Sequence, residues 1–133
     1  MEREIKFRAK AVNTEMWVYG DLVHNQKVTD KGLEPRVMVG GYEVYKDTVC
    51  QFTGLQDINQ KDIYEGDIMR SQYGRMYYIK YDENSCSFLA VQFGDDIAYP
   101  YILLKDWIHL FGKMVIGNIY DNKDLLKESE VEK

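Results

Sequence analysis

The stretch MYYIKYDENSCSFLAVQF, residues 76–93, decides the fold class. Its first six residues are mostly Tyr and Ile, which favour extended strands. The next four, DENS, have the short polar side chains that are typical of a turn. The segment that follows places Leu89, Val91 and Phe93 at alternate positions, so that they share one face of a strand. We therefore predict an antiparallel β-hairpin over this stretch.

Similar strand patterns lie on both sides of this hairpin. Near the N-terminus, Ile5, Phe7 and Ala9 alternate with basic residues, which is the two-residue period of a half-buried strand. A turn at residues 13–15 leads into a second strand-like stretch, so the two are predicted to form a hairpin. Further strand-like segments cover residues 42–52, 68–69 and 113–119.

These segments predict a mainly β fold with about seven strands and one or two short helices. The strands follow one another at hairpin spacing, which favours a small antiparallel barrel or sandwich over a βαβ fold. We see no domain boundary in the sequence. We therefore expect a single β-rich domain over residues 1–126, followed by a charged C-terminal tail over residues 127–133.

One segment has helical periodicity. Its apolar residues recur on one side of a helix, and they are Leu103, Leu104, Trp107, Ile108 and Phe111. A strand also accommodates a continuous apolar run, so the pattern leaves helix or strand open for residues 103–111. Gly112 would suit the C-terminal cap of a helix. A last short helix is predicted to follow Asn122, a residue type that favours N-caps.

The segment from residue 24 to residue 41 is predicted to be a loop or an irregular hairpin. Its polar residues, together with Gly32 and Pro35, interrupt any strand pattern. We expect it to be the most mobile internal part of the chain. Gly40 and Gly41 at its end predict a tight turn.

Composition and charge exclude several classes of protein. The chain has 133 residues, of which 45% are hydrophobic and 29% are charged, which is the balance of a soluble globular protein. No apolar run is long enough to cross a membrane as a helix. The net charge of −5 argues against nucleic-acid binding, which depends on basic residues.

The N-terminus lacks the apolar core of a signal peptide, so we expect a cytoplasmic protein. Cys50 and Cys86 are expected to be reduced thiols, mostly buried.

No motif in the sequence indicates catalysis or a cofactor. The acidic loop of residues 57–67 begins like a calcium loop, but Asp62 and Ile68 stand where such a loop needs Gly and Glu. His24 and His109 have no partner at metal-ligand spacing. The carboxylate pairs, Asp95 with Asp96 and Glu65 with Asp67, are not expected to converge in a cleft as an acid–base pair must. We therefore expect no catalytic, cofactor-binding or metal-binding residues, and a protein that is not an enzyme.

The aromatic residues are the more unusual feature, since the chain has 11 Tyr among 14% aromatic residues. Tyr provides a large rigid contact area and keeps a polar tip. Such residues fit a β core, a protein interface or stacking on single-stranded bases. For base stacking, the sequence offers aromatic residues close to basic ones, and these are Tyr77, Tyr78 and Tyr81 near Arg70, Arg75 and Lys80.

Three stretches together resemble the YopX family. The first is REIKFRA at residues 3–9, and the second is VCQFTGLQD at residues 49–57, continuing into IYEGDI at residues 63–68. The third is VIGNIYDN at residues 115–122, followed by DLL. The similarity covers both ends and the middle of the chain in the family's order. One departure is Asn59-Gln60, where family members often have Asn-Gly, so that either the turn differs or this chain accepts strain at Gln60.

The resemblance implies a compact, mainly β fold in a protein of bacteriophages, prophages or their hosts, and it implies no catalytic residues. The motif glycines and acids have structural interpretations. Asp67 would hydrogen-bond local backbone, and Gly117 would mark a bulge or a close backbone approach. Our first hypothesis is a non-enzymatic protein-interaction module with an aromatic-rich β surface, which forms homo-oligomers and binds a host or phage protein. The alternatives are a small barrel that binds single-stranded nucleic acid and an enzyme with an unrecognised site.

Overall fold

The computed structural model describes residues 3–94, 97, 100–110 and 113–126. Its contacts divide the chain into two compact units, Met1–Phe52 and Thr53–Lys133. The single domain over residues 1–126 stays a prediction, and the tail expected over residues 127–133 lies outside the described residues.

The first unit is built on two hairpins. Strand β1 (Phe7–Lys10) pairs with β2 (Trp17–Gly20), as the alternating N-terminal pattern predicts. On its other side β1 pairs with the beginning of β6 (Cys50–Gln56). A single turn of 3-10 helix, Lys46–Thr48, precedes β6. All of these strand pairs are antiparallel.

The second hairpin of this unit is long and regular. Strands β3 (Leu22–Thr29) and β4 (Gly32–Val39) pair along all eight residues of each, and β4 then pairs with the short β5 (Tyr42–Glu43). The core of the unit is formed by Ala9, Val39 and Val44. Gly40 has φ of +61° in the predicted tight turn, and a side chain there would collide with the carbonyl of Tyr19.

The second unit begins with the end of β6, which forms a hairpin with β7 (Asp62–Tyr64). Five strands then form one antiparallel sheet in the order β11-β10-β9-β8-β12. Its members are β8 (Asp67–Ser71), β9 (Met76–Asp82), β10 (Ser87–Phe93), β11 (Tyr101–Leu103) and β12 (Lys113–Asn118). Helix α1 (Leu104–Trp107) follows β11 directly, and α2 occupies residues 123–126. The buried core of this unit consists of Ile63, Met69, Tyr77, Ile79, Ala90, Leu104 and Trp107.

The mainly β class with short helices is confirmed. Within the described residues no sheet closes into a barrel, since the five-stranded sheet ends at β11 on one side and β12 on the other. The described chain has twelve strands, where the hairpin spacing predicted about seven. Most of the difference comes from strands of two to five residues, too short to show a period.

Two local predictions are corrected by the structure. The segment of residues 24–41 is a regular hairpin for most of its length, rather than a loop or an irregular hairpin. Pro35 is tolerated because it lies in the part of β4 that pairs only with β3, since β5 reaches no further than Met38. The apolar run from residue 103 is helical for one turn only, Leu104–Trp107. Leu103 belongs to β11 and pairs with Leu89, while Phe111 and Gly112 lie outside the described residues.

Candidate binding pocket

A pocket of about 480 Å³ opens on the second unit, between the β8–β9 turn and the segment around α1. Ligand-binding pockets typically have volumes of about 300–1,000 Å³. Its lining is mainly apolar and aromatic, and consists of Ser71, Tyr73, Arg75, Tyr77, Ile102, Trp107 and Leu110. We call this the Trp107 pocket.

Two buried aromatic rings form the floor of the Trp107 pocket. The ring centroids of Tyr77 and Trp107 are 4.4 Å apart and their planes are inclined by 50°. Tyr77 comes from the central strand β9, and Trp107 is held against it by the single turn of α1. At the rim, the side chains of Tyr73 and Leu110 are 69% and 58% exposed. The pocket therefore has a rigid aromatic floor and an apolar rim that faces solvent.

Backbone hydrogen bonds of the β8–β9 turn position Arg75 at this rim. The N–H of Ser71 donates to the carbonyl of Arg75 at 2.9 Å, and the N–H of Arg75 donates to the Ser71 hydroxyl at 3.3 Å. Gly74 closes the turn by donating to the Ser71 carbonyl. Arg75 is exposed, and no carboxylate of the described residues forms an ion pair with it. Its guanidinium is therefore available to an anionic group at the pocket.

A second cation lies behind the pocket floor. Lys113 is opposite Ser71 in the pairing of β12 with β8, and its side chain is 1% exposed. Its ammonium nitrogen is 4.7 Å from the centre of the Trp107 ring, which is a cation–π distance. Burial lowers the pKa of Lys113 from 10.5 to about 8. The two basic residues of this region therefore have different environments: Arg75 is exposed at the rim, and Lys113 is buried behind the floor.

Strand alternation separates the aromatic and basic residues that a base-stacking surface would need on one face of the sheet. Cross-strand partners share a face of the sheet. Tyr77 pairs with Met69 of the core, so it lies on the face of the pocket. The opposite face contains Tyr78, which pairs with Ile68. The candidate set therefore divides between the faces: Tyr77, Tyr81 and Arg75 on one, and Tyr78, Arg70 and Lys80 on the other.

Other lining residues of the pocket were missed by sequence reasoning. Trp107 was singled out only as part of an apolar helix face. Tyr73 gives no signal of a pocket in the sequence, because its neighbours Ser71, Gln72 and Gly74 are typical of a polar turn. The one signal that could have indicated the pocket was Gly74 followed by Arg75, since a tight turn places the residue after it next to the strand before it.

Two carboxylates of the acidic loop, residues 57–67, accept hydrogen bonds from backbone N–H groups. Asp57 Oδ1 accepts hydrogen bonds from the N–H groups of Asn59 and Lys61 at 2.8 and 2.9 Å, and its Oδ2 accepts one from Val115 at 2.9 Å. Asp67 Oδ2 accepts a hydrogen bond from the Tyr64 N–H at 2.8 Å, as the motif reading predicted.

The remaining candidate residues are dispersed. Among the described residues, no three His, Cys, Asp or Glu side chains come together as metal ligands. His24 lies on β3 and His109 follows α1, both exposed. Asp95 and Asp96 lie outside the described residues. Neither cysteine forms a disulfide: Cys50 is buried, as expected, whereas Cys86 is exposed, contrary to the expectation of burial.

Comparison with known proteins identifies the family. The family model described as YopX protein matches residues 6–127. The chain belongs to the YopX family. No curated protein gives a significant match. Among solved structures, the chain is similar to the crystal structure of protein EF1440 from Enterococcus faecalis, with 22% sequence identity and a TM-score of 0.55. That match covers 92% of this chain and 98% of the other, and it supports the fold of this family member.

Each helix in the described part of the chain is too short to cross a bilayer.

Proposed function

We propose that this YopX family member is a non-enzymatic protein-interaction module, and that the Trp107 pocket receives one apolar or aromatic side chain of its partner. A carboxylate next to that side chain would pair with Arg75. The observation that carries the proposal is an aromatic-floored apolar pocket with an exposed arginine beside it that forms no ion pair with the described residues.

The composition of the site supports a protein as the ligand. Trp, Tyr and Arg are the residues most enriched among those that dominate protein–protein binding energies. The exposed Tyr73 and Leu110 extend the apolar contact beyond the cavity, which would let a chain segment cover the rim while one side chain fills the floor. The resemblance of the motifs to phage and prophage proteins supports a phage or host protein of the cytoplasm as the partner.

Selection of random displayed peptides against the whole chain tests this proposal. We expect enrichment of peptides with an apolar or aromatic residue adjacent to Asp or Glu. With Arg75→Glu, the enriched charge should change from acidic to basic, because the group that recognises the carboxylate is reversed. Lys80→Glu is the matched control, since Lys80 is exposed at β9 but lies on the opposite face. An unchanged charge preference in Arg75→Glu, or no enrichment by the wild-type chain, would contradict the proposal.

A second candidate function is binding of single-stranded nucleic acid by the opposite face of the sheet. There the rings of Tyr78 and Phe93 are 6.0 Å apart, with the exposed Arg70 and Lys80 on the same face. Stacked aromatic residues beside basic ones are the usual platform for single strands. The net charge of −5 acts against it.

Titration with oligothymidylate at increasing salt tests this second candidate. Binding by this face should weaken steeply with salt and be lost in Arg70→Glu and Lys80→Glu, with Arg75→Glu unaffected. No affinity at low salt would eliminate the nucleic-acid function and leave the peptide proposal intact.

A further inference from the structure

Strand β3 has an outer edge without a neighbouring strand. Within the described chain it pairs only with β4, so one side of its eight residues has backbone N–H and C=O groups that no strand uses. Natural proteins commonly block such edges with proline or cover them. Here Pro35 lies in β4, and β3 contains no proline. An edge of this kind is a template for a further strand.

The side chains of the β3–β4 hairpin form an apolar stripe that continues from the core into solvent. Leu22 and Val37 pack against the core of the first unit, whose member Val39 is fully buried. On the same face, at the tip, Val28 lies opposite Leu33, and their side chains are 82% and 64% exposed. This pair extends the apolar surface of the hairpin beyond the core of the unit.

We propose that two copies of this chain associate through β3, antiparallel and edge to edge, in a register centred on Asn25. In this register Leu22 of each copy lies opposite Val28 of the other, so both copies' exposed valines gain an apolar neighbour on the same face. Two-fold symmetry repeats the contact, as in isologous dimers. The combined sheet would have six strands.

The charges of β3 favour a second copy as the occupant. In the register centred on Asn25, Lys27 of one copy lies opposite Val23 of the other, and no two like charges face each other. Lys27 is moreover neutralised within its own chain, since its ammonium contacts both carboxylate oxygens of Glu43 at 2.8 and 3.1 Å. A second copy therefore meets no charge repulsion at this edge, and the contact adds the two Leu22–Val28 pairs.

Other registers are poorer. A register centred on Gln26 would place Leu22 opposite Asp30 and Val28 opposite His24, and lose both apolar contacts. A register centred between Asn25 and Gln26 would place Leu22 of one copy opposite Thr29 of the other. Successive side chains alternate between the faces, so the apolar side chains of the two copies would then lie on opposite faces of the sheet. The register centred on Asn25 is therefore the one that we propose.

Disulfide trapping tests the register. In the Cys86→Ser background, which removes the exposed native thiol, Asn25→Cys would face itself across the two-fold axis. The Cα atoms of a disulfide are usually about 4.4–6.8 Å apart, as they are in paired strands, so mild oxidation should give a covalent dimer. Val23→Cys is the control on the same face of β3. Its copies would be four residues apart along the strand, or about 13 Å, and should remain unlinked.

Sedimentation of the full chain tests the association itself. The wild type should show a concentration-dependent dimer. Val28→Lys should be monomeric, because it places a charge opposite Leu22 of the second copy. Leu33→Lys should still dimerise, since Leu33 is equally at the tip but belongs to β4. A wild-type monomer at high micromolar concentration, or equal crosslinking of Asn25→Cys and Val23→Cys, would overturn the proposal. Neither result bears on the Trp107 pocket.

Discussion

At the scale of single residues, the turn from Asp57 to Lys61 retains strain that the family resemblance made visible. Gln60 has φ of +64°, the left-handed conformation that glycine adopts freely, and its N–H donates to the Asp57 carbonyl at 3.0 Å. Of the two alternatives left open by the sequence, the structure shows that the chain accepts the strain. The turn from Asp57 to Lys61 is formed although Gln60 must adopt a backbone conformation that is unfavourable for a residue with a side chain.

Gln60→Gly should therefore stabilise the protein. The left-handed conformation costs a non-glycine residue about 1–2 kcal/mol, and glycine gives back about 0.5–1 kcal/mol through its greater freedom in the unfolded chain. We expect a net gain of up to about 1.5 kcal/mol in the free energy of unfolding, measured by urea denaturation. Gln60→Ala is the control and should give no gain, because it keeps the Cβ atom. A gain of equal size in both variants would contradict this explanation.

The buried Lys113 should make stability depend on pH. Its pKa is lowered to about 8 in the folded chain, so between about pH 8 and 10.5 the unfolded chain binds more protons. The free energy of unfolding should accordingly rise with pH across this window. Below pH 8 the charged form is buried in full, at a cost of about 3 kcal/mol.

Lys113→Met should remove this rise and increase stability at pH 7, as measured by urea denaturation at a series of pH values. The comparison is made with Lys80→Met, which removes an exposed lysine and should leave the profile unchanged. Parallel profiles for the wild type and Lys113→Met would show that Lys113 is not the group responsible.

At the scale of elements, one carboxylate connects the β6–β7 turn to β12. Asp57 accepts two hydrogen bonds from the turn and one from the Val115 N–H, although Val115 is 58 residues away in the chain. Asp57→Ala would leave these donors without their acceptor and should cost about 3 kcal/mol of stability. Asp57→Asn keeps one carbonyl oxygen and should lose less. Thermal unfolding measures both, and Asp62→Ala provides the comparison for loss of a nearby acidic residue.

The elements also show what the sequence could predict. The hairpin of residues 76–93 was predictable almost to the residue, because its strands alternate and its turn is polar. Gly117 was predictable as a special position: the register shifts beside it, and a side chain there would collide with the carboxamide of Asn122. Asn122 precedes α2 as predicted, but its carboxamide accepts a hydrogen bond from the Asn118 N–H.

The errors have physical causes. The hairpin β3–β4 was missed because much of it is exposed, so polar residues hide its period. The Trp107 pocket could not be predicted, because it joins Arg75 to Trp107 through tertiary packing. Local periodicity contains no information on which turn will approach which helix.

At the scale of the whole molecule, the two tryptophans report on different units. Trp17 lies in the first and Trp107 in the second. Strand β6 crosses from one unit to the other, pairing with β1 at its start and with β7 at its end. If residues 1–126 form a single cooperative domain, both units should unfold together.

Single-tryptophan variants test this prediction. Trp17→Phe and Trp107→Phe each leave one tryptophan, whose emission can be excited selectively over that of the 11 Tyr. In each variant the midpoint of tryptophan fluorescence in urea should coincide with that from far-ultraviolet circular dichroism. Separated midpoints in either variant would mean that the units unfold independently.

The ring of Trp107 has one further consequence. One part of the indole lines the pocket, and the Lys113 ammonium lies over the ring. A charge at that distance shifts the emission colour of an indole, and a guest in the cavity displaces solvent from it. In the Trp17→Phe variant, the emission of Trp107 should therefore shift as Lys113 loses its proton near pH 8, and again when a ligand fills the cavity, without any attached dye.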